Sequence, residues 1–162
     1  MPRLRNCTLL YLIKRTDGRV SDICLAMKKR GFGSGKWNGA GGKVEAGESS
    51  EGAARREARE EIGVSVKSAY KVGELTFRFS HNPSWDHFVH AYFSEEWEGE
   101  LAESDEMRPQ WFRTEDIPWS GMWPDDQFWL PEMFRGNRIR ASFVFGEGDV
   151  ILEKQVEVIA NF

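Results

Sequence analysis

Residues 42–64 read GKVEAGESSEGAARREAREEIGV, and the spacing of charges in this stretch decides how the chain is read. Positions 49 to 62 are dominated by Ala, Glu and Arg, begin with the cap-competent Ser49 and Ser50, and stop before Gly63, which predicts a helix. Within it Glu57, Glu60 and Glu61 stand at i, i+3 and i+4, on one side of the helix, with Cβ atoms roughly 5–6 Å apart. Glu51 and Arg55 make a favourable i, i+4 pair, whereas Arg56 and Arg59 cannot neutralise three glutamates with equally good geometry. Taken alone, REAREE is the ordinary pattern of a solvated Glu/Arg face. The other solution is a hard divalent cation, which takes oxygen ligands; Mg²⁺ uses a few carboxylates and completes its shell with water and phosphate oxygens.

The wider string separates the two readings. Gly42, Glu48, Arg56, Glu57, Ala58, Glu60, Glu61, Gly63 and Val64 fall in register with Gx5Ex7REUxEExGU, and only Ala58 is small for its aliphatic position. These nine constrained positions in 23 residues resemble the box of Nudix hydrolases. Competing glycine motifs fail: Gly35-Lys36 and Gly42-Lys43 are followed by Trp37 and Val44 rather than Ser or Thr, and no GxGxxG occurs. The resemblance implies hydrolysis of a nucleoside diphosphate linked to another group, by water attack on phosphorus with Mg²⁺, or Mn²⁺ in its place. On this chain it implies metal ligation by Glu57, Glu60, Glu61 and the Gly42 carbonyl, with Arg56 orienting the carboxylates through Glu48 and Glu61 acting as general base.

Outward from the box, residues 6 to 15 and 20 to 28 are apolar runs separated by Asp17-Gly18, which predicts a hairpin. Seven glycines between Gly31 and Gly47 predict a shaped loop. Leu75, Phe77 and Phe79 alternate with polar residues, and His87 to Phe93 is a second β-rich run. Residues 110 to 113 read as a short strand, 125 to 134 as a helix interrupted by Pro131, and 142 to 145 with 150 to 159 as a closing hairpin. Strands with two helices between them give an α/β sandwich, in Nudix terms an α-β-α sandwich around a central mixed sheet. The 162 residues fit one domain, 1 to 162.

Composition narrows the partners. A net charge of −4 offers no general basic field for a nucleic-acid polymer or an anionic membrane, so a polyanion must be held by local groups or metal. The apolar run from Thr8 to Ile13 is too short for a signal segment or a membrane span, which points to a cytoplasmic protein, and Cys7 and Cys24 lack any CxxC spacing. A monomer acting on a small nucleotide is expected.

Beyond the box, MKKRGFGSGKWNGAGGKVEAGE (27–48), ESDEMRPQWF (103–112) and MWPDDQFW (122–129) are similar to the MutT-like oxidised purine nucleoside triphosphatases of animals. The chain departs from them by an extra stretch at 16–21 and a longer turn at 81–85, with Trp85 near a position where an aliphatic residue is usual. The resemblance implies a purine pocket of Thr8, Asn38, Phe77, Phe79, Trp123, Asp125 and Asp126. It also singles out Glu106 as a further metal ligand or water-activating group. Each residue has a plainer reading: strand for Thr8, turn for Asn38, core for Phe77 and Phe79. Lys28 and Arg30 are candidates to reach phosphates or form a solvated strand end, and His81, His87 and His90 read as structural. Asp125 and Asp126 fall where a helix starts and so are expected to cap it; if close and buried, one of them holds a proton and the pair offers a donor and an acceptor. The implied activity is Mg²⁺-dependent conversion of oxidised purine nucleoside triphosphates to monophosphate and pyrophosphate. A hydrolase of dinucleoside polyphosphates or unmodified dNTPs and a non-catalytic nucleotide-binding module are the alternatives.

Overall fold

The Asp17-Gly18 turn forms with positive φ at both residues, 53° and 77°, the backbone of a tight two-residue hairpin. It joins β1 (Arg5–Thr16) to antiparallel β2 (Arg19–Lys28), as the apolar runs predict. The computed structural model describes residues 4–162; Met1, Pro2 and Arg3, which open the expected domain, lie outside the described residues.

The glycine-rich segment is not loop throughout. It contains β3 (Trp37–Asn38), paired to β2, and β4 (Ala40–Lys43), paired antiparallel to β1 from Leu10↔Ala40 to Cys7↔Lys43. The glycines permit the pairing by being small: a Cβ on Gly41 would stand 1.9 Å from the Thr8 carbonyl oxygen. The box helix, α1 (Ser50–Ile62), starts with the Ser49 hydroxyl accepting from the Gly52 N–H and ends at Gly63 in the left-handed conformation (φ 78°).

β5 (Ser65–Phe79) is far longer than the Leu75–Phe79 alternation suggests, because three register shifts between Val66 and Gly73 break its period of two. β6 (His87–Glu98), β7 (Met107–Arg113), α2 (Asp126–Phe134), β8 (Arg138–Phe145) and β9 (Ile151–Ile159) follow. The strand order is β3-β2-β1-β6-β5-β8-β9, with β4 added to β1 and β7 to β2. β1–β6 and β5–β8 are parallel and the other pairs antiparallel, so the sheet is mixed. α2 continues through Pro131 rather than breaking there. Loss of one helical hydrogen bond and the ring clash cost ~3 kcal/mol, less than full burial of Trp129, Leu130 and Met133 supplies.

β1 divides the core. Leu10 and Leu12 pack with Ala54, Ala58 and Ile62 of α1, while Tyr11 and Ile13 pack with Trp129, Leu130 and Met133 of α2. Ala58, small for its box position, is completely buried there. The alternation places one helix on each face of the sheet, the α-β-α sandwich expected.

Gly41→Ala is expected to lower stability by about 3 kcal/mol, since the new methyl meets backbone and not a mobile side chain. Gly136→Ala, at φ 86° but in open space, should cost no more than about 1–2 kcal/mol of strain. Urea unfolding midpoints compare the two; equal losses would remove the close approach as the reason for Gly41.

Candidate active site

Arg56 organises the carboxylate face of α1. Its guanidinium donates to both Glu48 oxygens (2.7 and 3.0 Å), to Glu57 (3.0 Å), to Glu60 (3.2 Å) and to the Lys43 carbonyl (3.1 Å). The planar fork reaches two of the three helix carboxylates and Glu48 together, and leaves Glu61 out, so the three glutamates are not served equally. Hydrogen bonding to Arg56 holds the Glu48 carboxyl below its usual range.

Glu61 is the carboxylate that Arg56 does not reach. It is 4% exposed, accepts the Gly41 N–H at 2.8 Å, and has the Lys28 ammonium only at 4.0 Å. Burial pushes its carboxyl up to about 7, against the opposing effect of the Gly41 N–H. Glu57 is also raised, by burial first, although Arg56 opposes this. Glu60 is more than half exposed, and Glu106 is divided between Lys28 (3.2 Å) and Arg30 (2.9 Å), which hold its carboxyl low.

The four acids do not meet as one cluster: among the described residues no three His, Cys, Asp or Glu side chains converge closely enough to hold a metal ion. Like charges separate toward the nearest guanidinium or ammonium group. The donors nevertheless suit a hard cation. Gly42 offers a backbone carbonyl beside Glu57, whose carboxylate lies 2.6 Å from where a Gly42 Cβ would be, and Glu57 and Glu61 carry incompletely neutralised oxygen donors.

Gly41, Gly42, Lys43 and Lys28 line one end of a cavity of about 420 Å³ whose other end is Asp125 and Asp126. Both aspartates are buried, at 2% and 3% exposure. The Asp125 side chain makes no capping hydrogen bond, contrary to expectation; its Oδ2 accepts from the Trp129 indole N–H at 2.7 Å instead. Asp126 Oδ2 is buried without a hydrogen-bond partner among the described residues. Burial raises both carboxyls, Asp126 far more strongly because Asp125 also repels its charge, so the neutral form of Asp126 is favoured.

The remaining expected pocket residues line the same cavity. Thr8, 1% exposed, donates its hydroxyl to the His90 carbonyl. Asn38 Oδ1 accepts from the Tyr11 hydroxyl (3.1 Å) and the Gly39 N–H (2.8 Å), which leaves its amide group as the donor for a ligand. Phe77, Phe79 and Trp123 form the aromatic wall, with Phe79 edge-on to Trp123 at 6.2 Å between centroids. Arg30, mostly exposed and bound to Glu106, is absent from the lining.

Four contributors escaped the sequence. His87, read as structural, lines the cavity and stacks on Phe77 at 5.1 Å. Phe32 projects into it from the turn after β2. Tyr11 orients Asn38 and Trp129 holds Asp125. Only Trp129 left a local trace, the i, i+4 spacing from Asp125; Tyr11, Phe32 and His87 reach the cavity through pairings and turns that no local spacing records. His90, in contrast, is tied between Lys71 and Asn6 (2.8 Å each), in keeping with a structural role.

Comparison with known proteins agrees with this geometry. Residues 4–133 match the NUDIX domain model. The chain is 48% identical over 155 residues to the oxidized purine nucleoside triphosphate hydrolase of Danio rerio, covering 95% of each. It is 42% identical over 140 residues to that of Mus musculus, covering 86% of this chain and 89% of the relative. The structure superposes on a MutT protein from Bacillus halodurans with a TM-score of 0.81 over 95% of this chain and 98% of that one, at 22% identity, a likeness of fold. The box, the helix α1 that carries it and strands β1 to β7 thus all lie within the matched span: the chain belongs to the Nudix family.

Proposed function

We propose that the protein hydrolyses oxidised purine (deoxy)nucleoside triphosphates, of the 8-oxo-dGTP and 2-oxo-dATP type, to monophosphate and pyrophosphate, and so removes damaged triphosphates from the nucleotide pool. The observation that carries this is one continuous cavity running from the glycines that touch Glu57 and Glu61 to a buried, protonatable aspartate pair within an aromatic wall. Two relatives covering nearly the whole chain bear that activity in their names.

A divalent cation, Mg²⁺ or in its place Mn²⁺, supplies neutralisation of the triphosphate and acidification of the attacking water when bound. Glu57, Glu61 and the Gly42 carbonyl would hold it, with Glu60 and Glu106 completing the acidic set. Glu61, raised to about 7, is suited to take the proton of the attacking water, because a base works best near ambient pH. Arg56 is a positioning residue: it fixes Glu57 and Glu60 against the loop through Glu48. Lys28 presents an ammonium group to the phosphates. The triphosphate is cut between its α- and β-phosphorus atoms, and pyrophosphate leaves.

At the other end, Trp123 and Phe79 supply apolar faces for a base, while Thr8 and the Asn38 amide supply polar contacts. A protonated Asp126 donates to the base edge and an ionised Asp125 accepts. A proton that can shift between the two would suit more than one pattern of donors and acceptors. We take residues 1–162 as one catalytic domain, because β8 and β9, beyond the matched span, complete the same sheet. We also take the protein to work as a cytoplasmic monomer without nucleic-acid polymer or membrane partners, in keeping with its net charge of −4; among the described residues no helix is long and apolar enough to cross a membrane.

A panel of 8-oxo-dGTP, 2-oxo-dATP, O6-methyl-dGTP, unmodified dNTPs and a dinucleoside polyphosphate, read as pyrophosphate or phosphate release with and without Mg²⁺, tests the assignment. The oxidised purines should give the highest kcat/KM, chelation should abolish turnover, and a preference for the polyphosphate would redirect it. Glu61→Gln should lower kcat by about 10²–10⁴-fold while folding at least as stably above pH 7, since a desolvated carboxylate is removed. Unchanged turnover would take the base role from Glu61.

Asp126→Asn tests the aspartate pair. A raised folded-state pKa means that the native chain binds more protons than the unfolded chain above the ordinary Asp value near 3.9, so native stability falls as pH rises from there. The slope for one extra proton is about 1.4 kcal/mol per pH unit. The variant should lose that dependence and rank the oxidised bases differently, as read by urea midpoints from pH 4 to 7 and by the same panel. Parallel stability curves with an unaltered ranking would refute the shared-proton reading.

A further inference from the structure

Phe32 stands in the turn between β2 and β3 and is 47% exposed, yet its ring fills an aromatic cage. It stacks on Trp123 (centroids 5.2 Å apart, planes at 28°), meets Phe79 and His87 edge-on (5.7 and 6.0 Å), and lies tilted against Trp85 at 5.4 Å. The turn is closed by backbone hydrogen bonds from the Ser34 N–H to Gly31, the Gly35 N–H to Lys28, the Lys36 N–H to Gly33 and the Lys28 N–H to Lys36, and among the described residues none of its backbone bonds involves the Phe32 peptide. The backbone thus fixes where Phe32 stands, while side-chain packing sets where its ring lies. Its neighbours Gly31 and Gly33 have φ of 77° and 81°, and a Cβ on Gly33 would press on the Trp123 indole at 3.3 Å.

Beyond this ring lies a second, more open pocket of about 470 Å³ that shares Phe32, Gly33, Trp85 and Trp123 with the base cavity. Lys36 and Asp149, an ion pair at 3.1 Å, also line it, and the Lys36 ammonium sits 4.8 Å from the centroid of the Trp123 ring. With Lys36 already neutralised by Asp149, the pocket has little to offer an anion. Its aromatic walls and its cation held over a ring suit a flat, electron-rich aromatic group.

We propose that Phe32 is a specificity-determining residue, a movable partition that limits the base cavity to compact purines and whose displacement admits the aromatic substituent of an arylated purine into the pocket of Trp85, Trp123 and Lys36. The inference rests on the reading of the first cavity as the purine site. It needs only rotation about the Phe32 side-chain bonds, which the half-exposed ring can make toward solvent. Trp85, supplied by the long turn after β5, is the surface such a substituent would then lie against.

The test compares 8-oxo-dGTP with O6-benzyl-dGTP, N2-benzyl-dGTP and 8-phenyl-dGTP on the wild type, Phe32→Ala and Phe32→Trp, as ratios of kcat/KM. Phe32→Ala should raise the ratio for at least one arylated nucleotide tenfold or more, and Phe32→Trp should not. Adding Lys36→Ala to Phe32→Ala should give back severalfold of the gain. Ratios within twofold of wild type for all three probes in Phe32→Ala, with 8-oxo-dGTP still hydrolysed, would overturn the partition and leave the proposed function standing. Absence of 8-oxo-dGTP turnover in the wild type would instead count against the proposed function. The partition would then be judged on binding of the corresponding monophosphates, followed by tryptophan fluorescence, with the same tenfold criterion.

Discussion

The arrangement depends on one close approach, that of the Gly41–Gly42 backbone to β1 on one side and to α1 on the other. With no side chain at Gly41, β4 lies against Thr8 and Leu9; with none at Gly42, the Glu57 carboxylate comes to 2.6 Å from where a Cβ would stand, inside van der Waals contact. The same strand donates its Gly41 N–H to Glu61. A single short strand of four residues therefore sets the helix against the sheet, brings Glu57 and Glu61 against its glycine backbone, and lines the cavity. Side chains of any size there would separate the layers before the charges could be brought together.

The two ends of the cavity treat negative charge in opposite ways. At the helix end, Arg56, Lys28 and Arg30 keep Glu48, Glu57, Glu60 and Glu106 paired, whereas Glu61 is buried with the Gly41 N–H and only a distant cation, Lys28 at 4.0 Å. At the far end, among the described residues, no cation approaches Asp125 and Asp126 within salt-bridge distance, and their environment is Trp129, Tyr11 and the aromatic wall. Desolvation without a counter-charge favours the protonated acid. Both Glu61 and the aspartate pair thereby sit where protonation can change near neutral or mildly acidic pH, at a cost in stability that a purely structural site would not carry. The opposite treatments set a charged, cation-paired region apart from a desolvated, uncompensated one within a single small cavity.

Much of this was legible in the residues. The Asp17-Gly18 hairpin, the Ser49-capped helix ending at Gly63 and the closing hairpin all follow from local signals, since turn chemistry and caps are decided within a few residues. Three local readings failed for a common reason. The glycine-rich segment became partly strand, β5 extended back to Ser65 through its bulges, and α2 ran through Pro131, because in each case pairing or burial supplied by distant residues outweighed local preference. The capping reading of Asp125 failed similarly: the nearby indole of Trp129 takes the carboxylate that would otherwise cap the helix.

The sequence by itself determined the chemistry: three glutamates at helical spacing with Arg56 and Glu48 in register are written in the order of the chain, because a helix converts that order into one face. It also named most of the groups at the far end of the cavity through MWPDDQFW. Only the tertiary structure decided how these groups share charge and space. Arg56 reaching Glu48, Glu57 and Glu60 together, Glu61 left apart, Tyr11 turned to Asn38, and Phe32 set between Trp123 and Trp85 all join residues from different elements. Such contacts depend on which side chains face one another across the sheet and its turns, and neither periodicity nor composition records the direction of a side chain in a turn.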